Sequence, residues 1–413
     1  MQKFLMLLFL IVFLIPTTIY AAPSSERKAA FIRGNDLWIK VGNKEKKITD
    51  GQYIRYPKWS FDGSWISYLK GTKNNEYKIY NGELWLYNLK YNKHFKIKSN
   101  INNNYQWALQ QNKIAFQENK VLYYLNAELF NQNEITFVSK PIENFSWLPD
   151  GKGFLTSSKE SPNLHSDIIL SKILFSKSGK QVSSHLYTIP VSSDDFHVST
   201  CPFKWSNDMK WISFLLVPTA SLSADSNTLC ILSQDGQFFQ KVDEMLNYEE
   251  WFQWTLTKSS IGYISGVGRE ATANKQLQIL GVPTFKKEII TPKGYSDRDL
   301  VWKNDQLLYV SRSLESNEGE LDKRPLPSLY KINLANHKQI QLTFPSKNEG
   351  DFRPQIIKNQ LVWIRTDRQS ANVFISPVSH LKGNVWIKDI DLGSTYYEKW
   401  NWDEVLSLYG GGN

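Results

Sequence analysis

Apolar and polar positions alternate in short runs along nearly the whole chain, and the runs recur in a fixed order. In the clearest copy, Arg55-Tyr56-Pro57-Lys58-Trp59 leads into the polar turn Ser60-Phe61-Asp62-Gly63-Ser64 and then into the alternating run Trp65-Ile66-Ser67-Tyr68. A period of two is that of a strand, and Asp-Gly supplies the positive φ of a tight hairpin. Further copies centre on Trp107, Trp147, Trp205, Trp254, Trp302 and Trp400, and one at Gln355 keeps the spacing without a Trp. Successive anchors lie 40 to 58 residues apart, the period of a four-stranded sheet repeated around a ring rather than of a helical solenoid. The pattern predicts an all-β fold, a single closed β-propeller.

Within the first full copy the reading places strand A up to Trp59, strand B over Trp65 to Lys70, strand C over Leu84 to Leu89 and strand D around Phe95 to Ile97. The last hairpin of a unit is plainest from Leu329 to Thr343, with its turn at Asn336-His337. The anchor tryptophans read as wedges between blades: a four-stranded sheet has two apolar faces, and only neighbouring blades can cover both. One Trp buries on the order of 200 Å² in such an interface. Before the first anchor, Ala29 to Arg33, Leu37 to Lys40 and Lys47 to Thr49 read as strands B, C and D of a unit that lacks strand A. Near the other end, Tyr397-Glu398-Lys399-Trp400-Asn401-Trp402-Asp403 mirrors Tyr56 to Asp62. The last segment is therefore expected to pair with the first and close the ring, which leaves no exposed sheet edge. Eight blades are favoured, and seven are the alternative if the copy at Gln355 shares a blade with the tail.

Composition changes this picture little, and the N-terminus adds to it. Lys3, the apolar run Phe4 to Ile15, and Pro16 with small residues up to Ala22 have the layout of a secretory signal peptide, with cleavage expected after Ala21. The apolar run is shorter than the ~20 residues a bilayer span requires. The domain plan is thus a signal peptide over residues 1–21 and a propeller over 22–413, secreted or held in the periplasm or cell envelope. A formal charge of +9 suits anionic surfaces, yet the lysines are scattered through turns. The cysteines, Cys201 and Cys230, fall on either side of an intervening strand. That separation of about 9 to 10 Å exceeds the ~7 Å within which a disulfide can form.

These repeats resemble the propeller units of the TolB family. Arg55, Pro57, Trp59, Ser60, Asp62, Gly63, Ile66 and Tyr68 fit the first half of that family's unit, and Leu329, Tyr330, Asn333, Leu334, Leu342 and Thr343 fit the second. The family's own propeller has six blades and follows a separate α/β domain, whereas here strand-like repeats begin within a few residues of the signal peptide. What the resemblance implies is an exported, non-catalytic binding scaffold, with no cofactor.

Motifs of chemistry are sparse. His-Glu-x-x-His, Gly-x-Ser-x-Gly and phosphate-cradling glycine motifs do not occur. The histidines are dispersed, and His165, His185 and His197 lack ligand-like spacing. Glu249-Glu250 and Asp297-Arg298-Asp299 read as solvated loop charges, although a deep pair of carboxyls would serve as acid and base. The connections between strands B and C are mostly long, and all of them emerge on one side of the disc. That face is the expected partner surface, with Tyr77, Asn163, His165, Arg269, Asp322, Lys323 and Arg324 as candidate binding residues for an envelope polymer or an exported protein. Peripheral membrane contact fits the basic charge, and nothing points to nucleic acid. The competing expectation is a propeller enzyme acting on carbohydrate, a lyase or a glycosidase, marked by acidic, His or Arg side chains converging on the central channel.

Overall fold

A computed structural model describes residues 26–71, 82–132, 135–161, 163–176, 181–192, 197–379 and 382–410. Residues 1–21, where a signal peptide is expected, and the candidate binding residue Tyr77 lie outside them. Eight sheets of antiparallel strands succeed one another around a ring. In blade 2 the strands A to D are Tyr53–Trp59, Trp65–Gly71, Gly82–Asn88 and Lys93–Ile101. Blades 3 to 8 repeat this order, with strands A at Gln106–Trp107, Asn144–Trp147, Lys204–Trp205, Phe252–Trp254, Tyr295–Asn304 and Gly350–Ile357. Blade 5 carries a second A segment, His197–Thr200, on the same B strand. Cys201 and Cys230 are buried, unpaired thiols on opposite sides of that B strand, Trp211–Pro218.

Blade 1 is built from both chain ends. Lys28–Arg33, Asp36–Val41 and Lys44–Lys47 supply strands B, C and D, and Leu406–Leu408 supplies strand A, with Ala29 opposite Leu408 and Phe31 opposite Leu406. The ring closes as expected, but not through the expected residues. Trp400 belongs to a separate two-stranded hairpin, Thr395–Tyr396 with Lys399–Trp400. The segment around it copies the anchor motif in composition, yet the strand that fills the free edge of blade 1 comes six residues later. The weak copy also shifts: Ile356 lies opposite Leu361 as Trp59 lies opposite Ile66, so Ile356 rather than Gln355 occupies the anchor position.

The anchors act through hydrogen bonds as well as area. The Trp59 indole N–H donates to the carbonyl of Ser407 (3.1 Å), Trp107 to Lys58 (3.2 Å), Trp147 to Gln106 (3.0 Å), Trp254 to Lys204 (3.2 Å) and Trp302 to Gln253 (3.1 Å). Each acceptor is the residue just before the anchor of the preceding blade, so the indoles stitch the ring in one rotational sense. Trp205, across the widest gap between anchors, finds no partner for its Nε1. Gly262, on strand B of blade 6, lies where an added Cβ would meet Trp302 Cζ2 at 2.9 Å, so only glycine admits this wedge. The threonine that ends several units stitches within the blade: Thr49, Thr291 and Thr343 accept the backbone N–H of Leu37, Leu277 and Leu329 at 2.9, 2.7 and 2.9 Å, tying strand D to strand C.

Candidate acid–base site at the channel mouth

Strand A is the innermost strand of each blade, and three of them bulge at the same place. Tyr56, Asp299 and Arg353, each three residues before its anchor position, have φ of 55°, 50° and 52°, with a register shift in the A–B pairing at each. Non-glycine residues rarely adopt this conformation, and a bulge re-aims the side chain that it carries. Two short 3₁₀ turns enter strand A on the same side of the disc, Glu249–Trp251 in blade 6 and Trp402–Glu404 in blade 1. Glu249 and Asp403 are register equivalents, five residues before Trp254 and Leu408, and Glu250 and Glu404 follow them.

Ring closure brings these groups together. Arg353 Nη2 donates to Asp403 Oδ1 at 2.7 Å and lies 3.5 Å from Glu250 Oε1. Asp299, nearly buried, holds the frame: one oxygen accepts the Trp251 indole N–H at 2.9 Å and the other the Arg353 backbone N–H at 2.9 Å. Glu404 is used up structurally, accepting from Tyr56 Oη (3.1 Å), Ser394 N (2.8 Å), Ser394 Oγ (2.5 Å) and Asn401 Nδ2 (3.0 Å). Lys58 and Lys204 complete the cluster, close enough for their charges to act on Glu249.

The carboxyls are driven apart in acidity. Burial, and then the neighbouring negative charge of Asp403, pushes Glu250 well above the usual carboxyl range. Burial, the largest single influence, would raise Asp403 too, but the Arg353 guanidinium, a hydrogen bond with Glu250 and the charge of Lys58 together outweigh it, and Asp403 is held below its ordinary value. Glu249 is raised, chiefly by burial. A proton-bearing carboxyl beside an ionised one on a single guanidinium is the arrangement from which acid and base roles are assigned. Burial lowers the affinity of Lys58 for its proton.

These positions correct the reading of Glu249-Glu250 and Asp297-Arg298-Asp299 as solvated loop charges. Asp297, Arg298 and Asp299 are 0%, 1% and 5% exposed, because strand A of blade 7 begins at Tyr295, well before its Trp anchor. Asp297 pairs with Arg312 on strand B through two hydrogen bonds, at 2.5 and 2.6 Å. Asp351 and Arg365 repeat the pair in blade 8 at 2.7 and 2.8 Å.

The candidate partner residues occupy several places. Asn163 and His165 are exposed in the B–C loop of blade 4, and Asp322 and Lys323 are exposed in that of blade 7. Arg324 is buried, 4% exposed. Only Arg269 and Arg324 meet, each with its guanidinium 5.7 Å from the ring centre of Tyr397 in the Thr395–Trp400 hairpin. Arg269 also forms an ion pair with Asp225. That hairpin spans from the last blade to blade 6, where its Tyr397 carbonyl accepts the Ala271 N–H at 3.0 Å and Tyr248 Oη donates to the Trp400 carbonyl. Among the described residues, no three His, Cys, Asp or Glu side chains are grouped to hold a metal ion.

No family model matches the chain, and no curated protein matches it in sequence. Solved structures do match. Dipeptidyl peptidase 4 of Porphyromonas gingivalis superposes with a TM-score of 0.58 at 10% identity, over 89% of this chain and 58% of that one. Prolyl endopeptidase gives 0.51 at 12% identity, over 83% and 50%. Oligogalacturonate lyase of Vibrio parahaemolyticus gives 0.48 at 12% identity, over 86% and 97%. The chain spans about half the length of the peptidase structures it matches. At this identity the relation is one of fold, and it defines the class: an eight-bladed β-propeller. The TolB family in particular receives no support. The expectation of a non-catalytic scaffold is corrected: the solved structures that share the fold are those of peptidases. The channel mouth moreover gathers the acidic and arginine side chains that were to mark a catalytic propeller.

Proposed function

We propose that the protein is a propeller enzyme that cleaves a carbohydrate chain by acid–base chemistry at the channel mouth. The observation that carries this reading is the Glu250–Arg353–Asp403 unit, two carboxyls on one guanidinium at 3.5 and 2.7 Å, of which burial raises the pKa of the first while Arg353 helps to lower that of the second. Glu250 and Asp403, joined by a hydrogen bond, act as one proton-sharing pair, in which Asp403 is the base and Glu250 the proton donor to the leaving oxygen. Arg353 keeps Asp403 charged and is aimed by its bulge and by Asp299. Carbohydrate is favoured over peptide by the neighbouring wall, where Asn103, Asn104, Gln106 and Asn144 lie exposed or half-buried, the last three linked in a row by hydrogen bonds from Gln106 to Asn104 and from Asn104 to Asn144. Carboxamides offer donor and acceptor together, which matches vicinal hydroxyls. We further infer export, on the strength of the leader at residues 1–21.

The test is a screen of oligosaccharide cleavage with purified protein, repeated with Glu250→Gln and Asp403→Asn. Each substitution should lower kcat by roughly 10²- to 10⁴-fold with an unchanged circular dichroism spectrum. Since Glu250 acts protonated, the rate should fall with rising pH only well above the ordinary carboxyl range, and that alkaline limb should vanish in Glu250→Gln. Turnover indifferent to both substitutions overturns the assignment.

A further inference from the structure

Inside the carboxyl pair, the residues just before the anchors form one rung of the channel wall, which includes Lys58, Gln106, Lys204, Gln253 and Gln355. Three of these side chains make the same contact with the next blade. Lys58 Nζ donates to the carbonyls of Tyr105 (2.8 Å) and Asn103 (3.2 Å), Gln106 Nε2 to Phe145 (2.9 Å), and Lys204 Nζ to Phe252 (3.2 Å) and Glu249 (2.5 Å). Tyr105, Phe145 and Phe252 each lie two residues before an anchor, so the three contacts are register equivalents. Gln106 shows that a neutral amide suffices for the stitch. The hydrogen-bonded stitch at positions 58 and 204 therefore does not require a positive charge.

No carboxylate pairs directly with that charge, although each ammonium also lies over an aromatic ring, Lys58 4.5 Å from the centre of Tyr105 and Lys204 4.6 Å from that of Phe252. Each ammonium has three protons and gives two to carbonyls, and among the described residues neither lysine forms an ion pair. Both side chains remain partly accessible to solvent. Of the nearby carboxyls, Asp403 is already committed to Arg353, while burial raises the pKa of Glu249 and Glu250, as it lowers that of Lys58. Two partly accessible cations thus lie on one rung of the channel wall, where low-dielectric surroundings strengthen their pull on an anion.

We infer that Lys58 and Lys204 are specificity-determining residues that accept the carboxylate of an acidic sugar, so that the substrate is a uronic-acid-containing chain threaded across this rung. The inference rests on the proposed carbohydrate-cleaving function and deepens it. The two lysines sit three blades apart on the ring, so they engage different sugar residues of one chain, and the glutamines between them bind hydroxyls.

Calorimetric binding to the full-length Glu250→Gln protein tests this, with three ligands: a hexuronic-acid oligosaccharide, the same chain with its carboxyls reduced, and a sulfated neutral chain of equal length. The uronic chain should bind about tenfold or more tightly than the reduced one, a difference of ~1.4 kcal/mol, and the advantage should shrink with salt. Lys58→Gln and Lys204→Gln, which copy Gln106 and preserve the hydrogen-bonded stitch, should keep a cooperative thermal unfolding transition and each remove most of that preference. Equal binding of the acidic and reduced chains, a preference for the sulfated chain, or lysine variants that bind like the parent would each overturn the inference. The two readings fail separately. Preferred uronic binding without turnover by the unsubstituted protein would sink the acid–base function alone, whereas cleavage of neutral chains with no acidic preference would sink only the role of the lysines.

Discussion

Single residues carry consequences here because so many ionisable groups are enclosed. Arg298 and Glu398 are 1% and 2% exposed and lie 3.9 Å apart, with Arg368 donating to the other oxygen of Glu398 at 2.7 Å. Replacing one partner of a buried pair strands the other charge. Glu398→Gln should therefore cost on the order of 3 kcal/mol, read from the urea midpoint. Lys275 is fully buried, donating to the carbonyls of Val267 and Ala273, and burial lowers its pKa from 10.5 to about 8. Between those values the unfolded chain binds a proton that the folded chain does not, so this residue makes stability rise with pH there, by at most about 1.4 kcal/mol per unit. The rise should appear as a pH-dependent difference between the parent and Lys275→Met in denaturant titrations. None of this was visible residue by residue. Asp297, Arg298 and Asp299 look like a surface turn until strand A is known to start at Tyr295.

At the scale of the element, the strands and their turns were legible because their signals are local. Ser60 and Asp62 illustrate this. The Ser60 hydroxyl donates to Asp62 at 2.9 Å and accepts the Trp65 N–H at 3.0 Å, while Gly63 takes φ of 66°, so residues between positions 60 and 65 fix the hairpin by themselves. Anchors with an indole were likewise legible, and the one without it was misplaced by a residue. The stitches give a graded prediction: Trp302→Phe removes a hydrogen bond that Trp205→Phe does not. The former should cost about 1 kcal/mol more, seen in matched urea melts. The hairpin around Trp400 was misread because it copies the anchor motif in composition. Its partners, Tyr248, Ala271 and Arg368, are remote in sequence, so nothing near it revealed that it crosses the disc instead of entering a blade.

For the whole molecule, closure is the decisive event. Leu406–Leu408 covers the free edge of blade 1 and accepts the indole N–H of Trp59 through Ser407. Removing residues 406–413 should expose that edge and loosen two interfaces at once. The expected result is a loss of cooperative unfolding in calorimetry and a shift to aggregates in light scattering, where an intact monomeric melt would contradict the role given to closure.

What the chain determined by itself is the repeat: alternation, Asp-Gly turns and spaced tryptophans act within a few residues of one another, so the four-stranded unit and its multiplication into a ring could be read from order alone. The channel mouth was decided only by tertiary structure. Lys58, Lys204, Glu250, Arg353 and Asp403 come from five different blades and are ordinary in their own surroundings. The physical reason is long-range: acidity and charge at that site depend on burial and on neighbours that closure brings within a few ångströms. The sign left in the sequence is positional, since these residues fall one, three, four or five places before an anchor, and it acquires meaning only once the ring has aligned the anchors.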